Sequence, residues 1–268
     1  MSMDISIYNK FKDLVYEKAG IHLGDQKQAL VAARVSKRLR ELNLSDYREY
    51  LKYLREDKTE GELVHLLDAI STNVTSFFRE SVHFDFLQEK MKVWLGQGQR
   101  RFRFWSAASS SGEEPYTMAM VLKEATAGYN VDMRILATDI STRILARAEE
   151  GFYPAEKASA VPSNLLNKYF EKTETEKGHG YKVCKNLRDM ILFKRLNLSK
   201  PPFPMKGPMD AVFCRNVMIY FDNDIRRRLL SEVQRLLKHD GYLFVGHAES
   251  LAGQLCTLAN VKPSIYVK

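Results

Sequence analysis

The sequence has few cysteines and no long hydrophobic run. Its three cysteines, Cys184, Cys214 and Cys256, are odd in number and far apart in a chain of 268 residues. This spacing suits neither a disulfide framework nor a zinc site, and it favours a reducing, cytoplasmic setting. No stretch of about 18 apolar residues occurs, so no membrane span is predicted. The first residues also lack the basic-then-apolar pattern of a signal peptide.

Glycine and histidine do not form the patterns that mark two common kinds of site. A dinucleotide site needs the spacing G-x-G-x-x-G, whereas Gly112 stands alone in the loop where that motif would lie. A nicotinamide-dependent dehydrogenase is therefore disfavoured. The six histidines show no metal-ligand spacing, so no metal site is predicted.

The length and the charge of the chain set broad limits. A chain of 268 residues is expected to form one large domain and a small one. The formal net charge of +8 indicates an acidic partner. Nucleic acid, anionic lipid and an acidic protein surface all remain open on this ground.

The stretch from residue 101 to residue 120 predicts a strand, a loop of small residues and a helix. Residues 103–107 alternate in polarity and end in small side chains, and the loop contains Ser109, Ser110, Ser111 and Gly112. Two acids and a proline follow, which are favoured in the first turn of a helix. This arrangement is the usual seat of a nucleotide-like ligand at the carboxyl edge of an α/β sheet.

The two acids make a pyrophosphate an unsuitable ligand for this loop. Glu113 and Glu114 lie where the anion would have to bind. An acidic loop suits a ligand with a positive end, and S-adenosylmethionine has an ammonium and a sulfonium. An ordinary strand-to-helix turn is the alternative interpretation.

A second strand is predicted over residues 131–138, and Asp139 closes it. An acid at this position can accept hydrogen bonds from ribose hydroxyls. The alternative is that Asp139 caps a helix over residues 141–150.

The rest of the chain predicts two domains. Residues 1–70 read as an all-helical domain, 71–100 as a linker with a connecting helix, and 101–268 as alternating strands and helices. Prolines, charges and a Gly-His-Gly turn in about 151–190 predict a small β-subdomain inserted there. On the second predicted helix, Arg34, Lys37 and Arg38 share one face. That basic face is either a binding surface or a solvated helix surface.

Five stretches of the chain occur in a characteristic order with sensible gaps: TNVTSFFRE (72–80), FWSAASSSGEEPYTMAM (104–120), ILATDIS (135–141), FCRNVMIYFD (213–222) and GYLFVGHAES (241–250). Together they resemble the chemotaxis-receptor glutamate O-methyltransferases, the CheR family, and the resemblance covers essentially the whole chain. The all-serine loop at residues 109–111 is a small departure from the family, whose members vary more there.

The resemblance implies a fold and a cofactor. The expected fold class is α/β: a small all-helical N-terminal domain followed by a Rossmann-like S-adenosylmethionine methyltransferase domain with an inserted antiparallel β-subdomain. The residues expected to bind S-adenosylmethionine follow from the matching motifs. They are Asn73, Thr75 and Arg79 from the linker, Glu113 near the methionine end, Asp139 at the ribose, Asn197 with Leu198 beside the adenine, and Asn216 with Val217 on the methionine side.

The resemblance also implies the reaction and the partner. Methyl transfer to glutamate side chains of chemotaxis receptors is expected, with Arg79 positioning the acceptor carboxylate and Tyr220 placing a hydroxyl near the methyl group. Receptor methylation sites lie on long acidic helices, so Arg34, Lys37 and Arg38 are expected to steer the receptor. A receptor tail peptide is a further candidate ligand, for the β-subdomain. The protein is expected to be a cytoplasmic monomer that binds no nucleic acid and does not insert into a membrane.

Two rival functions remain at this point. A nucleic-acid methyltransferase is suggested by Lys200-Pro201-Pro202-Phe203, but the amine-binding signature begins with an acceptor side chain and lysine cannot accept a hydrogen bond. A non-catalytic module that keeps the cofactor pocket is the second rival, because a fold does not determine activity.

Overall fold

The computed structural model describes residues 3–70, 74–175, 178–249, 251 and 257–268. Contacts divide the chain into two compact units: Met1–Val74 with Tyr220–Arg226, and Thr75–Ile219 with Arg227–Lys268. The predicted domain bounds at residues 70 and 100 stay predictions. The expected cofactor residue Asn73 lies outside the described residues.

The first unit is helical, as the sequence predicts for its amino-terminal part. Asp4 caps the first helix by accepting a hydrogen bond from Ile7 N at 2.8 Å, and Gly20 ends that helix with a φ of 69°. Asp46 caps the third helix, because its side chain accepts hydrogen bonds from the backbone amides of Arg48 and Glu49. The helices are α1 (Ile5–Ala19), α2 (Gln28–Leu42), α3 (Tyr47–Glu56) and α4 (Gly61–Ile70).

The sequence predicts that Asp25 caps the second helix, which runs through Leu42, and that Leu30, Val35, Leu39 and Leu42 are its apolar positions. The structure differs from this prediction at two points. A 3-10 turn occupies Asp25–Lys27, so Asp25 does not cap α2 directly. The buried positions are Val31, Val35 and Leu39, at a spacing of four residues, whereas Leu30 is 42% exposed. Val35 and Leu39 are therefore buried as predicted, whereas Val31 takes the buried position that was predicted for Leu30.

A buried acid joins three helices of the first unit. Glu62 of α4 accepts hydrogen bonds from Arg38 Nε and Nη2 of α2, both at 2.7 Å, and from Tyr50 Oη of α3 at 2.6 Å. Burial, followed by the contact with Glu62, raises the pKa of Tyr50. Bidentate Arg–carboxylate pairs are both strong and directional. Arg38 therefore stabilises the unit itself.

The strands of the chain form two sheets. Their bounds are β1 (Arg101–Ser106), β2 (Asp132–Asp139), β3 (Phe152–Pro154), β4 (Phe170–Thr175), β5 (Gly178–Val183), β6 (Ile191–Arg195), β7 (Met209–Cys214), β8 (Leu237–Val245), β9 (Ala259–Lys262) and β10 (Ile265–Val267). Within the described ranges, seven strands form one sheet in the order β6-β2-β1-β7-β8-β10-β9. Strands β6, β2, β1, β7 and β8 run parallel, and β10 pairs antiparallel with β8 and β9. The expected Rossmann-like α/β fold is confirmed.

Helices lie between the strands. They are α5 (Val82–Gly96), α6 (Glu113–Ala125), α7 (Thr142–Glu150), α8 (Ala155–Ala158), α9 (Ser163–Tyr169), α10 (Lys185–Arg188) and α11 (Asn223–Leu236). The central strand β7 is buried along its whole length, as expected for a parallel strand covered on both faces. In the described ranges no helix combines the length and the apolar character needed to cross a bilayer.

The small sheet has the order β3-β5-β4, with antiparallel pairing. Its strands all lie within the interval 151–190 in which the sequence predicts an inserted β-subdomain. The presence of this subdomain is confirmed.

We expect Glu62→Ala to lower the free energy of unfolding by about 3 kcal/mol, because the buried hydroxyl of Tyr50 and the fork of Arg38 lose their shared acceptor. Urea denaturation followed by circular dichroism measures this. Glu56→Ala is the control, since Glu56 faces Lys52 at 3.9 Å in an exposed pair and such pairs contribute little. Equal losses in the two variants would contradict the assignment of Glu62 as a structural centre.

Candidate functional site

The parallel strands bring several polar residues to one edge of the large sheet. Strand β1 pairs with β2 on one side and with β7 on the other, and β2 pairs with β6. Because parallel strands end at the same edge, Ser106, Asp139, Arg195 and Cys214 lie along that edge. Six of the nine residues expected to bind the cofactor lie at the ends of these strands or in the segments that follow them: Glu113, Asp139, Asn197, Leu198, Asn216 and Val217.

The loop after β1 is held against β2 by its own backbone. Ser109 N donates to Thr138 O at 2.8 Å, and Ser110 N donates to Asp139 Oδ2 at 2.9 Å. Gly112 closes the loop with a φ of 95°, and a Cβ there would lie 2.8 Å from Tyr153 Oη and 2.9 Å from Ala148 Cβ. This position therefore requires glycine for both conformation and space.

The small sheet supports the same loop. Tyr153 of β3 donates a hydrogen bond from its hydroxyl to Ser111 O at 2.7 Å. Its side chain is buried, and burial raises the pKa of the phenol well above its ordinary value. The inserted subdomain is thus connected directly to the strand-to-helix turn, which no local sequence pattern indicated.

Two hydroxyl groups in the loop are buried without a hydrogen-bond partner in the described residues. They are Ser109 Oγ and Ser110 Oγ. Buried polar atoms are usually paired with protein, water or a ligand. Unpaired hydroxyls in a loop at the carboxyl edge of a parallel sheet fit a polar, nucleoside-like ligand such as S-adenosylmethionine.

Asp139 is oriented by backbone amides on both sides. Its Oδ2 accepts from Ser110 N, and its Oδ1 accepts from Ser141 N at 3.0 Å. The cap of α7 is Ser141, whose Oγ accepts from Ile144 N at 3.2 Å. The alternative interpretation of Asp139 as the helix cap is therefore wrong. Its carboxylate bridges the β1 loop and the end of β2.

The two acids at the start of α6 have different partners. Glu113 is buried and accepts from Lys157 Nζ at 2.8 Å and from Ser111 Oγ at 2.6 Å. Glu114 accepts from Ser106 Oγ at 2.7 Å and from Arg215 Nη1 at 3.1 Å. Burial raises the pKa of Glu114 although Arg215 acts against that rise. From the sequence the two acids are interpreted as one acidic patch. In the structure Glu113 contacts α8, whereas Glu114 contacts the residue that follows β7.

The expected adenine-side residues follow β6. Leu196 N donates to Asp139 O at 2.9 Å, so this segment is tied to the end of β2. Asn197 Oδ1 accepts from Ser199 N at 3.0 Å and from Ser199 Oγ at 2.7 Å, and Leu198 is buried. The Asn197 side chain therefore organises the turn that carries Leu198.

The expected methionine-side residues follow β7, and Glu249 holds them in place. Asn216 adopts a φ of 57°, and its backbone N donates to Glu249 Oε2 at 2.6 Å. The same carboxylate accepts from Gly246 N at 2.7 Å and from Ile219 N at 3.2 Å. The turn containing Asn216 and Val217 is therefore fixed by an acid more than thirty positions later in the chain. Glu249 lies in one of the five stretches that resemble the family, but the sequence did not predict a role for it.

The linker residues Thr75 and Arg79 belong to the second unit. Thr75 is partly exposed near the start of that unit. Arg79 lies between Phe78 and Glu80, both with a φ of 55°. Arg215 Nη2 donates to the Arg79 carbonyl and also to Glu80 Oε2, the latter at 2.9 Å. Arg215 was missed by sequence reasoning; its only signal was its place directly after a buried strand.

Tyr220 and the basic helix belong to the first unit. Tyr220 ends the 3-10 turn Met218–Tyr220, and its carbonyl accepts from His22 N at 2.8 Å. On α2, Arg34 and Lys37 are exposed, whereas Arg38 is bound to Glu62. The roles expected for all four side chains stay predictions.

One group of possible metal ligands occurs in the described part of the chain. Glu80, His83 and His247 place one ligand atom each within 4.8 Å of one another. Burial, followed by the charge of Arg215, lowers the pKa of His83 to about 4. The Glu80 carboxylate is already bound by Arg215, which disfavours a cation at the same oxygen.

Comparison with known proteins now adds to this geometry. Residues 73–267 match the family model described as "CheR methyltransferase, SAM binding domain", and residues 7–71 match "CheR methyltransferase, all-alpha domain". The chemotaxis protein methyltransferase of Borreliella burgdorferi is 40% identical over 262 residues, covering 95% of this chain and 91% of that protein.

Two further relatives also match more than nine-tenths of this chain. Chemotaxis protein methyltransferase 2 of Pseudomonas aeruginosa is 36% identical over 259 residues, covering 97% of this chain and 91% of its own length. The chemotaxis protein methyltransferase of Escherichia coli is 36% identical over 245 residues, covering 91% and 84%. The expected cofactor is confirmed as S-adenosylmethionine, and the chain belongs to the CheR methyltransferase family.

Proposed function

We propose that this protein transfers the methyl group of S-adenosylmethionine to glutamate side-chain carboxylates of chemotaxis receptors, giving glutamate methyl esters. The observation that carries the proposal is the oriented Asp139 carboxylate beside two unpaired buried hydroxyls, in a chain whose relatives are named chemotaxis protein methyltransferases. Family membership supports methyl transfer; the glutamate acceptor and the receptor are the proposed part.

A glutamate acceptor suits this reaction on chemical grounds. A glutamate side chain is already a carboxylate at neutral pH, so no general base has to create the nucleophile. When bound, the cofactor would supply a methyl group on a sulfonium: a bond forms between a carboxylate oxygen and the methyl carbon while the methyl–sulfur bond breaks, and S-adenosylhomocysteine leaves as a neutral thioether. The protein's task is then to align the acceptor and to exclude water, and alignment alone can supply much of the acceleration.

The residues at the sheet edge are each assigned to a different part of the cofactor. Asp139 accepts hydrogen bonds from the ribose hydroxyls, because its two oxygens are already oriented by the amides of Ser110 and Ser141. Asn197 and Leu198 lie beside the adenine. The methionine end is bound by Glu113 and by the turn of Asn216 and Val217, and Thr75 and Arg79 close over the cofactor from the linker. The role of Asn73 stays a prediction from the family motif.

Arg79 is the residue that we assign to the acceptor carboxylate. A guanidinium can bind a carboxylate through two parallel hydrogen bonds, which fixes its direction as well as its position. The bond must hold the acceptor without trapping it, because only interactions that strengthen toward the transition state raise the rate. Tyr220 remains the proposed hydroxyl near the methyl group.

The receptor is proposed to meet the basic face of α2. Arg34 and Lys37 are exposed there, so their charges can steer an acidic helical partner. Arg38 is expected to contribute less to this steering, because its guanidinium is bound by Glu62 and its side chain is 19% exposed. The β-subdomain as a seat for a receptor tail peptide, the monomeric state, the cytoplasmic location and the absence of nucleic-acid binding remain parts of the same proposal.

We expect Asp139→Ala to weaken S-adenosylhomocysteine binding by about 10- to 100-fold, as hydrogen bonds to a charged group contribute about 1.5–3 kcal/mol. Isothermal titration calorimetry measures the change. Asp132→Ala is the matched control, because Asp132 begins the strand that Asp139 ends and lies at the opposite edge of the sheet. Equal loss in both variants would contradict the assignment of the cofactor site.

We expect tritium from methyl-labelled S-adenosylmethionine to appear in receptor protein as a base-labile ester. Glutamate methyl esters hydrolyse in mild alkali, whereas N-methyl and C-methyl groups do not. Alkali-stable label, or label in added nucleic acid instead of receptor, would contradict the proposed acceptor. Cofactor binding without any transfer to receptor would favour the non-catalytic rival.

We expect the double reversal Arg34→Glu with Lys37→Glu to raise the KM for receptor about tenfold and to weaken its salt dependence, because rim charges act through steering. Binding of S-adenosylhomocysteine should not change. Arg48→Glu with Lys52→Glu reverses two exposed charges on α3 and is the matched control. A KM that does not respond to the α2 reversal would rule out this face as the receptor surface.

A further inference from the structure

Arg215 is a buried cation that lies at the end of β7 and contacts two other elements of the second unit. It follows β7 directly, and its side chain is 2% exposed. Its Nη1 donates to Glu114 Oε2 at the start of α6, and its Nε and Nη2 donate to Glu80 Oε2 at 3.2 and 2.9 Å. Its Nη2 also donates to the backbone carbonyl of Arg79. The guanidinium therefore joins the linker segment to the sheet edge.

The charges around Arg215 explain why this contact is specific. Two carboxylates face one guanidinium, and all three groups are largely buried. Burial acts to raise the pKa of Glu80, but the charge and hydrogen bonds of Arg215 hold it below its ordinary value. Ser106 Oγ and the amide of His247 donate to the remaining carboxylate oxygens. Removing the guanidinium of Arg215 would leave the buried carboxylates of Glu80 and Glu114 without a cationic partner.

The backbone on either side of Arg79 is held in an uncommon conformation. Phe78 and Glu80 are not glycines, yet both have a φ of 55°. Such residues persist where the surroundings hold them, and they cluster at functional sites. Phe78 N donates to Thr117 Oγ1 at 3.2 Å, and the Glu80 carboxylate is held by Arg215. Arg79 is thus fixed from both neighbours and through its own carbonyl.

We propose that Arg215 is a positioning residue for Arg79: with Glu80 and Glu114 it sets the backbone direction from which the Arg79 side chain reaches the cofactor and the acceptor. This inference rests on the proposed function, in which Arg79 contacts both. Arg215 itself touches neither; it acts through the segment that it binds. A lysine would keep the positive charge but could not bind two carboxylates and a carbonyl with one planar fork.

The test is a double-mutant cycle on S-adenosylhomocysteine binding, measured by calorimetry in Arg215→Lys, Arg79→Ala and the combined variant. We expect Arg215→Lys to weaken binding about tenfold while Arg79 is present, and less than twofold once Arg79 is alanine, since groups in one hydrogen-bond network are strongly coupled. The same loss in both backgrounds would overturn the inference.

Hydrogen–deuterium exchange gives an independent readout that needs no ligand. We expect faster exchange in residues 75–81 of Arg215→Lys and unchanged exchange in β2. Unchanged exchange in 75–81 would overturn the inference. Arg103→Lys is the matched control, because Arg103 is bound to Asp132 at the other end of the sheet, and it should leave both measurements as in the wild type.

Two features of the design separate this inference from the proposed function. The binding cycle requires no methyl acceptor. If the protein binds S-adenosylhomocysteine but does not methylate glutamate, the proposed function is overturned. The cycle can still show whether Arg215 positions Arg79. If Arg215→Lys does not fold, Glu80→Gln replaces it in the same cycle, because glutamine keeps the shape of Glu80 and loses the charge that Arg215 binds.

Discussion

The closure of the β1 loop onto the end of β2 is the constraint on which the second unit depends. Asp139 can meet the amides of Ser110 and Ser141 only if the loop turns sharply, and that turn needs the left-handed glycine at 112. Tyr153 of the small sheet then lies against the glycine and donates a hydrogen bond to the carbonyl of the preceding residue, Ser111. One short loop therefore joins the central strands, the helix that follows and the inserted subdomain.

Buried acids recur through the molecule; several are paired with a cation, whereas Glu249 is bound by backbone amides. Glu62 has Arg38, Glu113 has Lys157, Asp210 has Lys238, and the pair Glu80 and Glu114 shares Arg215. Burying a charge is costly unless it is paired and hydrogen-bonded. These pairs lie where separate elements must meet, so they fix the register of the elements more than they add to stability. The net excess of positive charge is then left to exposed side chains such as Arg34 and Lys37.

The same principle explains why a cation-rich chain can bind a positively charged cofactor. The acids at the site are not free carboxylates in solvent, because each accepts hydrogen bonds from a specific basic side chain. Lys157 contacts Glu113 from α8, and Arg215 contacts Glu114 from the end of β7. Under the proposed function, the cofactor's ammonium and sulfonium would meet a prearranged set of dipoles and charges, the kind of arrangement that lowers a barrier without reorganisation.

The sequence by itself determined the helical amino-terminal part, the strand–loop–helix at 101–120, the inserted β-subdomain and the family, because each depends on local periodicity, turn residues or contiguous motifs. It also singled out Asp139 as an acid that closes a strand, and the resemblance to the family singled out Asn197 and Asn216. Only the tertiary structure separated Glu113 from Glu114, assigned the cap of α7 to Ser141, and revealed Arg215 and Glu249. The cap of α7 is a local contact, but the other outcomes depend on contacts between residues up to 136 positions apart. No local pattern encodes which distant donor reaches which carboxylate.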